Sequence, residues 1–123
     1  MNKLSRDILD ASVFVHKEVG PGLLESVYEI CLEKELKLRG IKAQRQVCLP
    51  LHYRGERLAK DFRIDLLVEN EIIIEIKAAE NILPVHEAQI ISYLKLADKK
   101  LGFLINFNVP LMKNGLRRFV NNF

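Results

Sequence analysis

The spacing of apolar and polar positions changes several times along the chain, and each change marks an element. Leu4, Ile8, Ala11, Val15 and Val19 recur at helical spacing, which predicts a helix over residues 3–18. Gly20-Pro21-Gly22 breaks it. Leu24, Val27, Tyr28, Cys31, Leu32 and Leu36 mark a second helix that stops near Arg39-Gly40, with glycine at its C-terminal end. From Gln44 the period falls to two. Residues 46–49 and 51–53 read as a strand interrupted by Pro50, which points to a sheet edge or a bulge. Arg54-Gly55-Glu56 is a turn. Residues 58–68 form a second strand, with Phe62, Ile64, Leu66 and Val68 on one face and Arg63, Asp65 and Leu67 on the other. Glu69-Asn70-Glu71 leads into a third strand, 72–78. Pro84 suits the first turn of a helix, which Val85, Ala88, Ile91, Leu94 and Leu96 carry to about Ala97. Leu101 to Phe107 is a short continuous apolar run, the mark of a strand buried on both faces. A last short helix is predicted around Leu116–Val120. The order is α–α–β–β–β–α–β–α, with no repeat, low-complexity tract or linker. The expectation is one α/β domain over residues 1–123.

Composition narrows this picture. Hydrophobic residues make up 49% and charged residues 28%, enough for one core. No apolar run approaches the roughly 20 residues needed to span a bilayer. The N-terminal stretch MNKLSRDILDASVFVHKE mixes charges into its apolar residues and lacks a signal-peptide core. The expectation is a cytoplasmic protein without a membrane partner. Cys31 and Cys48 form no close pair, cannot hold zinc or an iron–sulfur cluster by themselves, and read as buried free thiols. The net charge is only +3, but it is unevenly spread. Residues 39–63 carry seven Lys/Arg against two acids, residues 64–87 one Lys against six acids, and residues 88–123 six Lys/Arg against one Asp. An acidic centre between basic segments suits a cation site set in a polyanion-binding surface, and it equally suits solvated surface charge.

The stretch IIIEIKA, residues 72–78, carries the chemistry. On a strand, Ile73, Glu75 and Lys77 share one face, while Ile72, Ile74, Ile76 and Ala78 share the other. The charged face is either a wet sheet surface with a same-face ion pair or a site. Asp65 lies on the minority face of the preceding strand. With a three-residue loop over 69–71, Val68 opposes Ile72 and Asp65 opposes Glu75, whereas a slip of one residue would part the two acids. Two converging carboxylates repel, and Lys77 or a hard divalent cation would relieve them. Mg²⁺ binds through one or two carboxylates plus waters and substrate phosphates, so such a site fits phosphodiester hydrolysis.

Asp65 followed by Glu75-Ile76-Lys77 resembles the D…(D/E)-x-K signature of the PD-(D/E)XK nuclease superfamily. Gly22-Leu-Leu-Glu25-Ser-Val-Tyr28 matches the motif that names its small GxxExxY proteins, and Gln89-x-x-x-Tyr93 follows on the next helix. The resemblance covers about His16 to Val109, with Ile64 standing where the signature has its proline. It implies a restriction-endonuclease-like core, in which a mixed central sheet (a three-strand antiparallel meander plus a further strand) is flanked by helices. It implies Asp65 and Glu75 as ligands of Mg²⁺, with Mn²⁺ able to substitute, the Ile76 carbonyl as a third ligand, and Lys77 as the catalytic lysine. Glu25 corresponds to the first-helix acid that completes such sites. By spacing alone, Glu25 is equally a first-turn acid favoured by the helix dipole. Gln89 and Tyr93 would face the site and the substrate phosphates, although Tyr93 also reads as core, and His86 on the same stripe stays open. The implied partner is nucleic acid, DNA in particular. A bare core would need a homodimer, a partner protein or a structured substrate for specificity. The rival reading is a nuclease-fold protein that binds nucleic acid or a protein without cutting.

Overall fold

The computed structural model describes residues 2–121. Helix α1 spans Lys3–Val19 and α2 spans Glu25–Leu38. Three strands follow, β1 Ala43–Tyr53, β2 Glu56–Val68 and β3 Ile72–Lys77, then α3 Pro84–Ala97, β4 Leu101–Asn106 and β5 Leu116–Val120. The strands lie in the sheet in chain order. β1, β2 and β3 form an antiparallel meander, β4 joins β3 in parallel through the α3 crossover, and β5 closes the edge antiparallel to β4.

Helices cover both faces. α1 and α2 bury Ile8, Ala11, Val15, Tyr28, Leu32 and Leu36 against Ile72, Ile74, Ile76, Phe103 and Ile105. α3 buries Ile90 and Leu94 against Ile64, Leu67, Ile73 and Leu104 on the other face. The run of isoleucines in β3 therefore serves two cores, as expected of a central strand. No helix among the described residues is long and apolar enough to cross a membrane.

Several expectations are corrected. Residues 116–120 are a strand, not a helix. Five residues are too few to hold a helix by themselves. As a strand they satisfy the free edge of β4 while Leu116 and Phe119 reach the two opposite cores. In α3 the buried stripe is Ile90 and Leu94, whereas Val85, Ala88 and Ile91 face solvent. This helix is apolar on more than one side, so its spacing could not select the inner face. Cys48 is exposed and Cys31 half-buried, so neither is a buried thiol. Pro50 does sit on an edge strand at an irregularity, where the pairing shifts between Pro50 and His52.

Candidate active site

The chain turns from β2 to β3 through Glu69 and Asn70, both with left-handed φ (51° and 55°). The rungs that follow are Val68 with Ile72, Leu67 with Ile73 and Leu66 with Ile74, the register of a three-residue loop. The next rung would join Asp65 and Glu75, but there the backbones part. The Asp65 carboxylate accepts the N–H of Ile76 at 2.9 Å, and the Asp65 N–H lies 3.4 Å from a Glu75 carboxyl oxygen. A side chain thus replaces a backbone rung. At the same level the alternation reverses in both β1 and β2. Arg45 and Leu66 face α2, yet Val47 and Ile64 two residues away pack on the α3 side. Gln46, between them, has φ 53°, a left-handed backbone that turns the strand over. So Phe62 and Ile64 do not share a face with Leu66 and Val68, and Asp65 sits at the pivot, against Glu75.

Burial dominates the electrostatics of this pair. Glu75 is only 4% exposed, although it is an acid. Its pKa is pushed from 4.5 to about 9, first by desolvation, then by the Asp65 charge and a hydrogen bond between the two carboxyl groups. A backbone hydrogen bond and the nearby charge of Lys77, which is half-buried two residues on, pull it back only in part. Two acids held together with too little positive charge are what a divalent cation relieves. Among the described residues no group of three or more His, Cys, Asp and Glu side chains is arranged to hold a metal. The carboxylates that meet here are Asp65 and Glu75, hard oxygen donors of the kind Mg²⁺ takes together with water and phosphate.

Helix α3 brings Gln89 and Tyr93 to this centre. The Gln89 amide donates to the Tyr93 hydroxyl at 3.2 Å, and the Tyr93 ring packs on Phe62 with centroids 5.0 Å apart. The Tyr93 hydroxyl pKa is raised by partial burial and by the charges of Glu75 and Asp65. It is thus a proton-bearing donor there. His86, left open by its spacing, accepts the Leu83 N–H at 3.1 Å and caps the start of α3.

Glu25 is exposed in the first turn of α2 and joins no metal-holding acid cluster among the described residues. It does lie toward the same end of the sheet. Tyr28, one turn along, stacks on Phe107 at 4.5 Å, and the Phe107 N–H donates to the Lys77 carbonyl at 2.9 Å. The Tyr28 hydroxyl also donates to the Gly20 carbonyl and accepts the Leu23 N–H, locking the turn that carries the motif glycine.

Two supporting residues escaped the sequence reading. Asn106 is buried at the end of β4 beside Lys77, where its amide holds both the N–H and the carbonyl of Ala79. It fixes the chain just after the lysine. The signal was a polar residue closing an apolar strand. Glu29, 5% exposed, takes Arg45 at 3.0 Å and Gln46 at 2.7 Å, and so holds the strand where it turns over. It was hidden because its spacing on α2 resembles that of the core residues. A cavity of about 380 Å³ opens at the opposite ends of β3 and β4, by Ile72 and Leu101, and touches none of these groups.

A family model described as the PD-(D/E)XK nuclease superfamily matches residues 2–119. The crystal structure of SSO0001 is similar in fold, with a TM-score of 0.53 and 21% identity. The match covers 97% of this chain and 58% of that one, so the chain spans little more than half of its length. No curated protein matches the chain significantly.

Proposed function

The chain belongs to the PD-(D/E)XK nuclease superfamily, and from that premise we propose that it is a metal-dependent nuclease hydrolysing phosphodiester bonds in nucleic acid, chiefly DNA. We place it with the GxxExxY proteins of that superfamily on Gly22, Glu25 and Tyr28. The observation that carries the reading is the meeting of Asp65 with the buried, charge-frustrated Glu75 beside Lys77, at the C-terminal end of a parallel strand pair. Open α/β sheets bind their ligands at that end.

Asp65, Glu75 and the Ile76 carbonyl would hold Mg²⁺ or Mn²⁺, with Glu25 the acid proposed to complete the set. The ion, when bound, supplies Lewis acidity toward the phosphate and a water of lowered pKa. The chain's own groups do the rest. Lys77 orients the attacking water and meets the negative charge that develops on the phosphate. Gln89 and Tyr93 donate to phosphate oxygens and set the position of the strand to be cut. Asn106 keeps the Lys77–Ala79 backbone in place for this.

The test is incubation of labelled single-stranded, duplex and branched DNA with and without Mg²⁺ or Mn²⁺, beside Lys77→Ala. Metal-dependent cleavage that falls about a hundredfold in Lys77→Ala is expected, the scale for loss of one transition-state stabiliser. Equal cleavage by both proteins refutes the role of Lys77. Binding without cleavage by either makes the protein a non-catalytic nucleic-acid binder.

A further inference from the structure

The β1–β2 hairpin outgrows the sheet it belongs to. β1 and β2 pair from Ala43 with Val68 out to Tyr53 with Glu56, yet β2 pairs with β3 only over residues 66–68. Beyond Asp65 the hairpin runs on as a two-stranded ribbon. Its base, Val47, Leu49, Phe62 and Ile64, packs on the α3 side, but residues 50–61 enter neither core. Residues 52–57 and 59–61 are all exposed. A bare two-stranded ribbon buries too little to help the fold. Some other use has to account for it.

Its chemistry points to that use. The overhang and its root carry Arg54, Arg57, Lys60 and Arg63 against Glu56 and Asp61. Arg57 pairs with Asp61 at 3.0 Å. The side chains of Arg54, Lys60 and Arg63 make no ion pair or hydrogen bond among the described residues. Tyr53, next to the tip, is 65% exposed. Charges on an edge strand also discourage stray pairing, as Pro50 does. That need is met by either sign, and it does not call for an exposed aromatic ring. Here the unpaired basic side chains are three, Arg54 in the hairpin turn and Lys60 and Arg63 on the strand whose root is Asp65.

We propose that residues 50–61 form an arm that lies in the major groove of duplex DNA and seats the duplex over the Asp65/Glu75 centre at its base. This rests on the nuclease reading and names its substrate as double-stranded and B-form. Strands about 4.8 Å apart, with their side chains, fit a groove about 12 Å wide, whereas the A-form major groove is too narrow for side chains to enter. Six residues of β2, at about 3.3 Å each, span roughly 20 Å, the length of about six base pairs.

The test measures binding of a 30-base-pair DNA duplex across a salt series, in a Lys77→Ala background and in chelator so that nothing is cut. Adding Arg54→Gln, Lys60→Gln and Arg63→Gln together should weaken binding at least tenfold and flatten the log–log salt slope by roughly two to three, about one for each lost phosphate contact. Tyr53→Ala should weaken binding with the slope kept. The Mg²⁺-induced rise in melting temperature should survive in every variant, which shows that fold and centre are intact. Unchanged affinity and slope in the triple variant overturn the arm while leaving the nuclease reading standing. So does a changed oligomeric state in sedimentation with DNA affinity unchanged, since the ribbon would then be an edge for a second copy. Duplex RNA bound as tightly as DNA overturns the groove assignment. A wild-type protein that neither binds nor cuts nucleic acid overturns both readings.

Discussion

Glu75→Gln should stabilise the metal-free protein at pH 8 and leave it nearly unchanged at pH 5. Glu75 has a pKa of about 9 in the folded chain against 4.5 as its ordinary value, because burial and Asp65 both oppose its charge. Between these limits the folded state binds more protons than the unfolded one. Stability is therefore fully present below pH 4.5, falls as pH rises, and stops falling above about pH 9. Each pH unit costs about 1.4 kcal/mol, so the loss by pH 8 is about 3–5 kcal/mol. Glutamine has the shape of the protonated acid, can donate to Asp65, and never ionises. It should remove this loss, raising the melting temperature at pH 8 by about 10–20 °C. The assay is thermal unfolding of wild type and variant at pH 5 and pH 8 in chelator. In wild type, Mg²⁺ binding near pH 7.5 should also release about one proton, seen by calorimetry in buffers of different ionisation enthalpy. Glu75→Gln should lose both that proton and the metal response. A melting-temperature difference between the two proteins that is the same at pH 5 and pH 8 refutes the reasoning.

Asp65→Asn should weaken the Mg²⁺-induced rise in melting temperature, since only the native site binds the ion; an undiminished rise would move the metal elsewhere. Tyr93→Phe should keep that rise but slow cleavage about tenfold, the worth of one hydrogen bond to a charged group; cleavage at the wild-type rate would make Tyr93 a packing residue. Gly115→Ala should destabilise by about 1–3 kcal/mol, because its methyl group would fall on the Asn106 carbonyl, and a thermal melt reads this directly. Tyr28→Phe should cost about 1–3 kcal/mol by stranding the Leu23 N–H and the Gly20 carbonyl, measured by urea unfolding.

The sequence by itself determined whatever rests on neighbours along the chain. Helical spacing and the glycine stops marked α1, α2 and the span of α3. Alternation marked the meander, and the three-residue loop set its register, so Asp65 and Glu75 could be brought together on paper. Tertiary structure decided what depends on partners distant in sequence. Leu116–Val120 is a strand because β4 offers an open edge, which no local propensity records. The inner face of α3 was chosen by the sheet beneath it. The alternation of β1 and β2 reverses at Gln46 and Asp65 because Glu29, on another element, holds the turned strand, and because the Asp65 carboxylate takes a backbone donor from β3. The depth at which Glu75 is buried, and hence its reluctance to ionise, follows from layers packed on both sides of the sheet. Pattern can show that two acids face one another, but only the closed fold removes the water that would have kept them charged.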